Sequence, residues 1–184
     1  MRKRLRPAHT PAQLAEIYAT PHDHTQWADH VARVDATIAI ARALADGPLE
    51  RGADLSCGSA AVLNALAIAE RHLGDFAPGY QYTGPIEETI EQIPDVDLFV
   101  CTETLEHLDD PDVVLKQVRA KTRLLVLSTP VDAWDDDNLE HYFAWSQSDV
   151  EEMLTAAGFT VAGYAELDFR PYGLVYSFGI WGCR

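Results

Sequence analysis

The stretch TETLEHLDDP (102–111) is the most distinctive segment of this 184-residue chain. It follows the apolar run VDLFVC (96–101), which predicts a buried strand, and it leads into PDVVLKQVRAK (111–121), which predicts a helix with Asp110 as its N-cap. A second buried strand, RLLVLS (123–128), follows that helix. This order predicts a parallel pair of strands, with the acidic stretch at the carboxyl end of the first.

The alternation of strand and helix continues on both sides of this unit. On the upstream side, ADLSC (53–57) predicts a strand and AAVLNALAIAERH (60–72) predicts a helix. Two weak strands are expected next, one around Leu73 and one at Tyr80–Thr83, and IEETIEQI (86–93) predicts a short helix. Downstream, Pro130 is expected to end the strand RLLVLS (123–128). SDVEEMLTAAG (148–158) then predicts a helix capped by Ser148. The chain therefore belongs to the α/β class.

The last two predicted strands have no helix between them. FTVAGYAEL (159–167) and GLVYSFGIWG (173–182) are separated by only five residues. A connection this short joins antiparallel neighbours, because a parallel crossover needs a dozen residues or more. We therefore expect a mostly parallel sheet that ends in one antiparallel hairpin.

The N-terminal region lacks the alternation of strands and helices that is predicted for the core. Residues 1–9 are basic and are expected to be a disordered tail, and Thr10-Pro11 predicts the start of a helix over 11–19. A longer helix is expected over 25–45, with Val31, Val34, Ile38 and Ala41 on its buried side. We expect one domain over 1–184, made of the tail, N-terminal helices over 10–47 and a core over 50–184.

Charge and composition limit the kinds of partner. The formal net charge is −15, from 29 acidic residues against 14 Lys and Arg, and such a field repels nucleic-acid phosphates and anionic lipid surfaces. No apolar run approaches the roughly 18 residues that span a bilayer, and the basic start is not followed by the apolar stretch of a secretory signal. Cys57, Cys101 and Cys183 show no CxxC spacing, so we expect reduced core thiols and a cytoplasmic protein.

Ligands of open parallel sheets bind beyond the carboxyl ends of the strands. The first strand leads there into Asp54-Leu55-Ser56-Cys57-Gly58-Ser59-Ala60, whose small residues let a ligand approach the backbone. Asp75 follows Gly58 by 17 residues (75 − 58) at the end of the next predicted strand, where a carboxylate can accept hydrogen bonds from a ribose diol. The alternatives are an ordinary tight turn between strand and helix for the loop, and a turn-forming Gly-Asp pair for Asp75.

Together these segments resemble the class I S-adenosylmethionine (SAM)-dependent methyltransferases. Residues 102–111 are similar to that family's E-x-L-E-H segment with its acidic turn and proline, and residues 54–60 are similar to its D-x-G-C-G-x-G motif, with Ser56 and Ala60 in place of two glycines. LSTPVD (127–132) and AAGF (156–159) extend the likeness over residues 50–160, which is strongest to the small-molecule and ubiquinone-biosynthesis group.

The resemblance implies a Rossmann-like sheet of seven strands, mostly parallel with the last strand antiparallel. It implies SAM as cofactor, S-adenosylhomocysteine as product, and methyl transfer to an oxygen or nitrogen atom of a small-molecule acceptor. It also implies a set of cofactor-binding residues: Asp54, Ser56, Cys57, Gly58, Ser59, Asp75, Ile86, Glu87, Thr102 and Glu103.

In that family, N-terminal helices form a lid over the cofactor. The lid residues here would be Tyr18, Trp27, His30 and Arg33, with Arg33 holding the methionine carboxylate. The alternative is that Trp27 belongs to the core and that the histidines only cap and solvate a turn. His22, Asp23, His24 and His30 have side chains of metal-binding type, but we expect no metal site.

His141 is the candidate general base, because it follows the fifth strand among aromatic residues. The alternative is a packed loop histidine. The predicted substrate pocket is made of His30, His107, Tyr142 and Trp145, although His107 would also suit a structural role.

Two other functions compete with an active methyltransferase. The lost glycines are compatible with a catalytically degraded SAM-fold module that binds a partner protein. Nicotinamide dehydrogenases share the opening strand, loop and helix. This function is disfavoured because the sequence lacks the GxGxxG spacing of their dinucleotide-binding loop. A homodimer is compatible with any of these functions.

Overall fold

The computed structural model describes residues 1–20 and 25–184. Within these residues the helices are α1 (Pro11–Ile17), α2 (Ala28–Leu44), α3 (Ala61–Asn64), α4 (Ile86–Thr89), α5 (Pro111–Lys121) and α6 (Gln147–Ala156). The strands are β1 (Lys3–Arg4), β2 (Leu49–Asp54), β3 (Ile68–Asp75), β4 (Tyr82–Thr83), β5 (Val96–Thr102), β6 (Thr122–Val131), β7 (Phe143–Ala144), β8 (Val161–Asp168) and β9 (Ser177–Cys183). Single 3-10 turns occupy Ile90–Gln92, Leu105–His107 and Arg170–Tyr172.

The main sheet has seven strands in the order β4-β3-β2-β5-β6-β9-β8. Neighbours from β4 to β6 are parallel, whereas β9 is antiparallel to both β6 and β8. The predicted fold is confirmed, including the antiparallel hairpin at the end of the chain. This order reverses between β2 and β5, so a crevice opens at the carboxyl ends of those two strands.

Helices cover both faces of the sheet, which explains the continuous apolar run in β5. Phe99 and Cys101 pack in the core beneath α4, α5 and α6, whereas Leu98 and Val100 pack beneath α2 and α3. Successive side chains of a strand point to opposite faces, so the stretch of β5 that is buried on both sides, residues 98–101, is apolar at every position. Among the described residues, no helix is both long and apolar enough to cross a membrane.

The predicted helix over residues 60–72 is wrong. Only Ala61–Asn64 is helical, and β3 begins at Ile68. The alanine-rich stretch has good intrinsic helix propensity, but it pairs in parallel with β2 from Leu49↔Ile68 to Asp54↔Leu73. Those backbone hydrogen bonds and the burial of Ile68 outweigh the local preference.

Several boundaries also differ from the sequence-based prediction. The last helix is capped by Ser146 rather than Ser148, because Ser146 and Asp149 form a reciprocal capping box. Pro130 lies within β6 instead of closing it, opposite Phe178 of β9, and its carbonyl accepts a hydrogen bond from Trp145 Nε1 at 2.9 Å. The predicted cap at Asp110 is confirmed, since its side chain accepts from the backbone of Val113.

The helix expected over 25–45 covers Ala28–Leu44, and its predicted buried face is partly wrong. Ile38 and Ala41 are buried, whereas Val31 is 46% exposed. Val31 lies near the start of α2, before the helix reaches the sheet, so the sheet does not cover its side chain. The N-terminal half of this helix is therefore less buried than its sequence pattern suggests.

The N-terminal segment is not the disordered tail that its composition suggested. Lys3 and Arg4 pair antiparallel with β7, and the amino group of Met1 lies 2.6 Å from Asp149 Oδ1. Further cationic side chains reach acidic groups or carbonyl oxygens: Arg2 pairs with Asp112, Arg4 with Asp109, and Arg6 donates to the carbonyls of Asp136 and Asn138. Basic residues therefore tie this segment to an acidic protein body.

Gly179 is required by the packing of the antiparallel hairpin. A Cβ built there would lie 2.2 Å from the ring of Trp181, which is fully buried. We expect Gly179→Ala to lower the free energy of unfolding by about 1–3 kcal/mol, the usual cost of overpacking. Gly163→Ala on β8 is the matched control, since a Cβ there meets nothing within 4 Å. Chemical denaturation of both variants tests this, and equal stability of the two would contradict it.

Candidate functional site

A cleft of about 370 Å³ opens at the carboxyl ends of β2, β3 and β5. The loops after these strands form its floor, and α1 and α2 contribute its outer wall. The predicted site residues that line it are Tyr18, His30, Arg33, Asp54, Ser56, Cys57, Gly58, Ser59, Asp75, Ile86, Glu87, Thr102, Glu103, His107 and Tyr142. Residues far apart in the sequence therefore meet at the edge of the sheet where a ligand was expected.

Asp54 fixes the loop after β2 from the buried side of that loop. This carboxylate is 2% exposed and accepts a hydrogen bond from the Ser56 backbone at 3.2 Å. Burial raises the pKa of Asp54 to about 7; the Ser56 hydrogen bond opposes this shift and the charge of Asp75 adds to it. Gly58 has a φ of +46°, and a Cβ there would meet nothing within 4 Å. The loop thus presents bare backbone to the cleft.

Asp75 joins this loop to the end of β3. Its Oδ2 accepts from the Gly58 backbone and its Oδ1 from the Ala77 backbone, both at 2.9 Å. Each carboxylate oxygen can accept more than one hydrogen bond, so the side chain retains acceptor capacity toward the cleft. Asp75, the residue predicted to bind the ribose, therefore also fixes the loop at Gly58. The sequence did not show this second role.

Two non-glycine residues in the loops around the cleft adopt a left-handed backbone that favours glycine. Ala60 has a φ of 55° and Glu103 a φ of 49°. Such conformations cost about 1–3 kcal/mol each and persist only where surrounding contacts impose them. For Glu103 those contacts come from Ser128, whose carbonyl accepts from the Glu103 backbone at 2.8 Å and whose hydroxyl donates to the side chain at 2.8 Å.

Arg33 brings a positive charge to an acidic cleft. It is 8% exposed, with Nη1 at 3.7 Å from Glu103 Oε1, Nη2 at 3.2 Å from His30 Nδ1, and its guanidinium over the ring of Phe178. Its Nε is buried and has no hydrogen-bond partner among the described residues. The acidic residues of the cleft lining are Asp54, Asp75, Glu87, Glu103, Asp109 and Glu140.

Two residues of the cleft lining, His9 and Phe76, were not among the predicted site residues, whereas Tyr18 was. Tyr18, just after α1, packs its ring 5.4 Å from that of Phe76. His9 reaches the cleft because its backbone donates to the Tyr142 hydroxyl at 3.0 Å. Phe76 could have been inferred, since it directly follows Asp75 at a strand end, but His9 could not, since it depends on the ordered N-terminal segment.

Two aromatic residues that were predicted at the site, Trp27 and Trp145, are not part of the cleft lining. Trp27 is 54% exposed at the start of α2. Trp145 is 1% exposed and belongs to the core, stacked on Phe143. Both were placed at the pocket because of their aromatic character, which serves a core or a surface equally well. The candidate metal residues His22, Asp23 and His24 lie outside the described residues.

His141 is buried behind the cleft and is not part of its lining, so the structure does not place it where a general base would contact an acceptor. Its Nδ1 lies 2.6 Å from Asp136 Oδ2, and its Nε2 lies 3.1 Å from Asn138 Nδ2. Burial lowers its pKa, but the hydrogen bond with Asp136 and the charge of Glu106 outweigh this effect and raise the pKa overall. Both ring nitrogens have partners within the protein, which favours the alternative of a packed loop histidine.

Glu106 lies beside His141 and is 1% exposed. Its Oε2 accepts from the Thr129 hydroxyl at 3.0 Å. Burial raises its pKa to about 8, the charge of Glu103 adds to this shift, and His141 opposes it. The E-x-L-E-H segment therefore divides its side chains, with Glu103 and His107 in the cleft and Glu106 behind it.

No protein-family model and no curated protein matches the chain. Its structure is similar to N-methyltransferase NodS from Bradyrhizobium japonicum, with a TM-score of 0.70 at 14% identity over 94% of this chain and 96% of that one. It is also similar to 1,6-didemethyltoxoflavin-N1-methyltransferase from Burkholderia thailandensis, with a TM-score of 0.69 at 16% identity over 97% and 92% of the two chains. Magnesium protoporphyrin IX methyltransferase from Synechocystis gives a TM-score of 0.66 at 17% identity over 94% and 93%.

These likenesses establish the fold. The chain has the class I SAM-dependent methyltransferase fold, with its seven-stranded sheet and antiparallel β9. The three similar structures all contain S-adenosylhomocysteine.

Proposed function

We propose that this protein is a SAM-dependent methyltransferase that methylates an oxygen or nitrogen atom of a small molecule. One observation carries the proposal: the Asp75 carboxylate and the bare backbone at Gly58 meet in one cleft at the carboxyl ends of the strands. Two of the solved structures with the same fold are named as methyltransferases of small molecules, magnesium protoporphyrin IX and 1,6-didemethyltoxoflavin, which supports this class of acceptor.

The cleft residues fit this cofactor. The space beside Gly58, where a Cβ would meet nothing, admits a ligand against the backbone. Asp75 retains acceptor capacity for a ribose diol, and the unpartnered Nε of Arg33 can donate to a carboxylate. These features supply a donor, an acceptor and open backbone, which are the contacts that the different parts of the cofactor require.

On this proposal each wall of the cleft holds one part of the cofactor. Asp75 would bind the ribose, Ile86 and Glu87 would contact the adenine, and Arg33 would bind the methionine carboxylate. The backbone of residues 56–59 would lie along the methionine moiety, with Thr102 and Glu103 near the sulfonium. Tyr18, packed on Phe76, would cover the cleft from the N-terminal side.

When bound, the cofactor supplies a methyl group already activated by the sulfonium. The protein's own task is then to align the acceptor and exclude water. Tyr18, Leu108 and Tyr142 give the cleft apolar surface for this purpose. Rate enhancement on this proposal comes from positioning, and it does not require His141 as a base.

Calorimetry with SAM, S-adenosylhomocysteine and NAD tests the proposal against its alternatives. We expect both sulfur compounds to bind in the cleft and NAD not to bind. Binding of NAD alone would favour a dehydrogenase, and no binding of any of the three would favour a degraded partner-binding module. Methyl transfer from labelled SAM to a panel of small phenols and amines then separates a catalyst from a SAM-binding module.

The acidity of the cleft predicts a salt effect that differs between cofactor and product. SAM carries one more positive charge than S-adenosylhomocysteine, and the charged residues of the cleft lining are acidic apart from Arg33. Raising NaCl from about 50 mM to about 500 mM should weaken SAM binding roughly threefold to tenfold and weaken product binding less, because salt screens the attraction of the additional charge. Equal salt dependence in parallel titrations would contradict this electrostatic account.

A further inference from the structure

Glu106, His107 and His141 form a cluster at the wall of the cleft. One metal-ligating atom from each of these side chains lies within 4.8 Å of those of the other two. Glu106 and His141 are 1% and 6% exposed, whereas His107 lines the cleft. The cluster therefore begins just behind the cleft surface and opens onto it through His107.

One oxygen of the buried Glu106 side chain, Oε1, lacks a hydrogen-bond partner among the described residues. The Nε2 of His107 lies 4.0 Å from this oxygen, which is beyond hydrogen-bond distance. A carboxylate oxygen that is removed from water without a donor is costly, so this side chain points to a ligand that the cluster can hold.

His141 is oriented in the way that metal-binding histidines are. Its Nδ1 donates to Asp136 at 2.6 Å, and Asp136 is itself fixed by the Tyr176 hydroxyl and the Asn138 backbone, each at 2.9 Å. A carboxylate on one ring nitrogen sets the tautomer and directs the lone pair of the other nitrogen toward a metal. The neutral amide of Asn138, 3.1 Å from Nε2, is a partner that a cation can displace.

We propose that Glu106, His107 and His141 bind a divalent transition-metal ion such as Zn²⁺ or Co²⁺, with an open coordination position toward the cleft. Two imidazoles and one carboxylate are a ligand set that such ions favour. Bonds of about 2.0–2.2 Å place tetrahedral ligands roughly 3.3–3.5 Å apart, so the cluster must contract by about 1.5 Å or less, which small side-chain rotations supply. The sequence analysis considered a metal only at His22, Asp23, His24 and His30 and expected none. The cluster of Glu106, His107 and His141 depends on tertiary structure, which brings residue 141 to residue 106.

The test measures metal binding by the full, untagged chain without SAM, so it does not depend on the proposed function. We expect one equivalent of Zn²⁺ to bind in calorimetry, and Co²⁺ to produce the visible absorption bands of a low-symmetry site. Glu106→Gln and His107→Gln should each weaken Zn²⁺ binding at least 100-fold. Asp136→Asn should weaken it roughly 10- to 100-fold by releasing the orientation of His141.

His72→Gln is the matched control. His72 is also buried, at 4% exposure, but its ring lies on β3 against Tyr82. This variant should bind Zn²⁺ as the unmodified chain does. The proposal is overturned if the unmodified chain binds no Zn²⁺ or Co²⁺, or if Glu106→Gln and His107→Gln, folded by circular dichroism, bind as tightly as the control. Calorimetry with SAM on the same samples separates this result from failure of the cofactor proposal.

Discussion

Replacing Gly58 with valine is expected to abolish SAM binding, with a loss of affinity of at least about 100-fold. At a φ of +46° a β-branched residue is strained, and its side chain would project into the open space of the cleft. Both effects remove the bare backbone on which the methionine moiety would lie. Calorimetric titration of Gly58→Val with SAM measures the loss, and circular dichroism checks that the variant is folded.

Gly173→Val separates strain from occlusion of the cleft. Gly173 also has a positive φ, +81°, and open space around its Cβ position, but it lies in the turn before β9, away from the cleft. We expect this variant to lose stability while its SAM affinity stays unchanged. If both variants lose SAM binding equally, or if Gly58→Val binds normally, the loop after β2 is not part of the cofactor site.

Removal of the Asp75 carboxylate is the second large effect. On the proposed function, Asp75→Ala loses two charge-assisted hydrogen bonds to the ribose, which corresponds to about 2–4 kcal/mol, or roughly 30- to 700-fold in the SAM dissociation constant. The structure gives a second reason for a loss of SAM affinity. Asp75 also accepts a hydrogen bond from the Gly58 backbone, so its removal would release the loop after β2. Asp75→Asn, which keeps one acceptor oxygen, should therefore retain more affinity than Asp75→Ala.

Asp97→Ala is a close control for this change. Asp97 likewise accepts from two backbone amides, those of Glu50 and Arg51 at 2.7 and 2.8 Å, but it lies near the opposite end of β5. Its removal should leave SAM affinity unchanged, even if the melting temperature falls. An unchanged dissociation constant in Asp75→Ala would remove this carboxylate from the site.

The order of the acidic and small residues at the strand ends could be predicted because it depends on local sequence. Asp54, Asp75 and Glu103 each come directly after a strand or at its last residue, and parallel strands bring such positions to one edge. The hairpin followed from the short connection between its strands. None of these inferences required knowledge of which distant side chains touch.

The errors share a different origin. Residues 68–72 of β3 were predicted as helix because they continue an alanine-rich stretch that favours a helix locally, and only pairing with β2 makes them a strand. The N-terminal segment was predicted as disordered because its charges have no partner nearby in sequence. Their partners, such as Asp112 and Asp149, lie more than 100 residues away.

Periodicity, caps and connection lengths are local properties, so they were sufficient to predict the α/β class, the antiparallel end of the sheet and the edge where a ligand would bind. Tertiary structure alone decided how the histidines and glutamates are used. His141 is one of many loop histidines by sequence, and only folding buries it against Asp136 and beside Glu106. The physical reason is that burial and charge pairing depend on contacts across the chain, which no local pattern encodes.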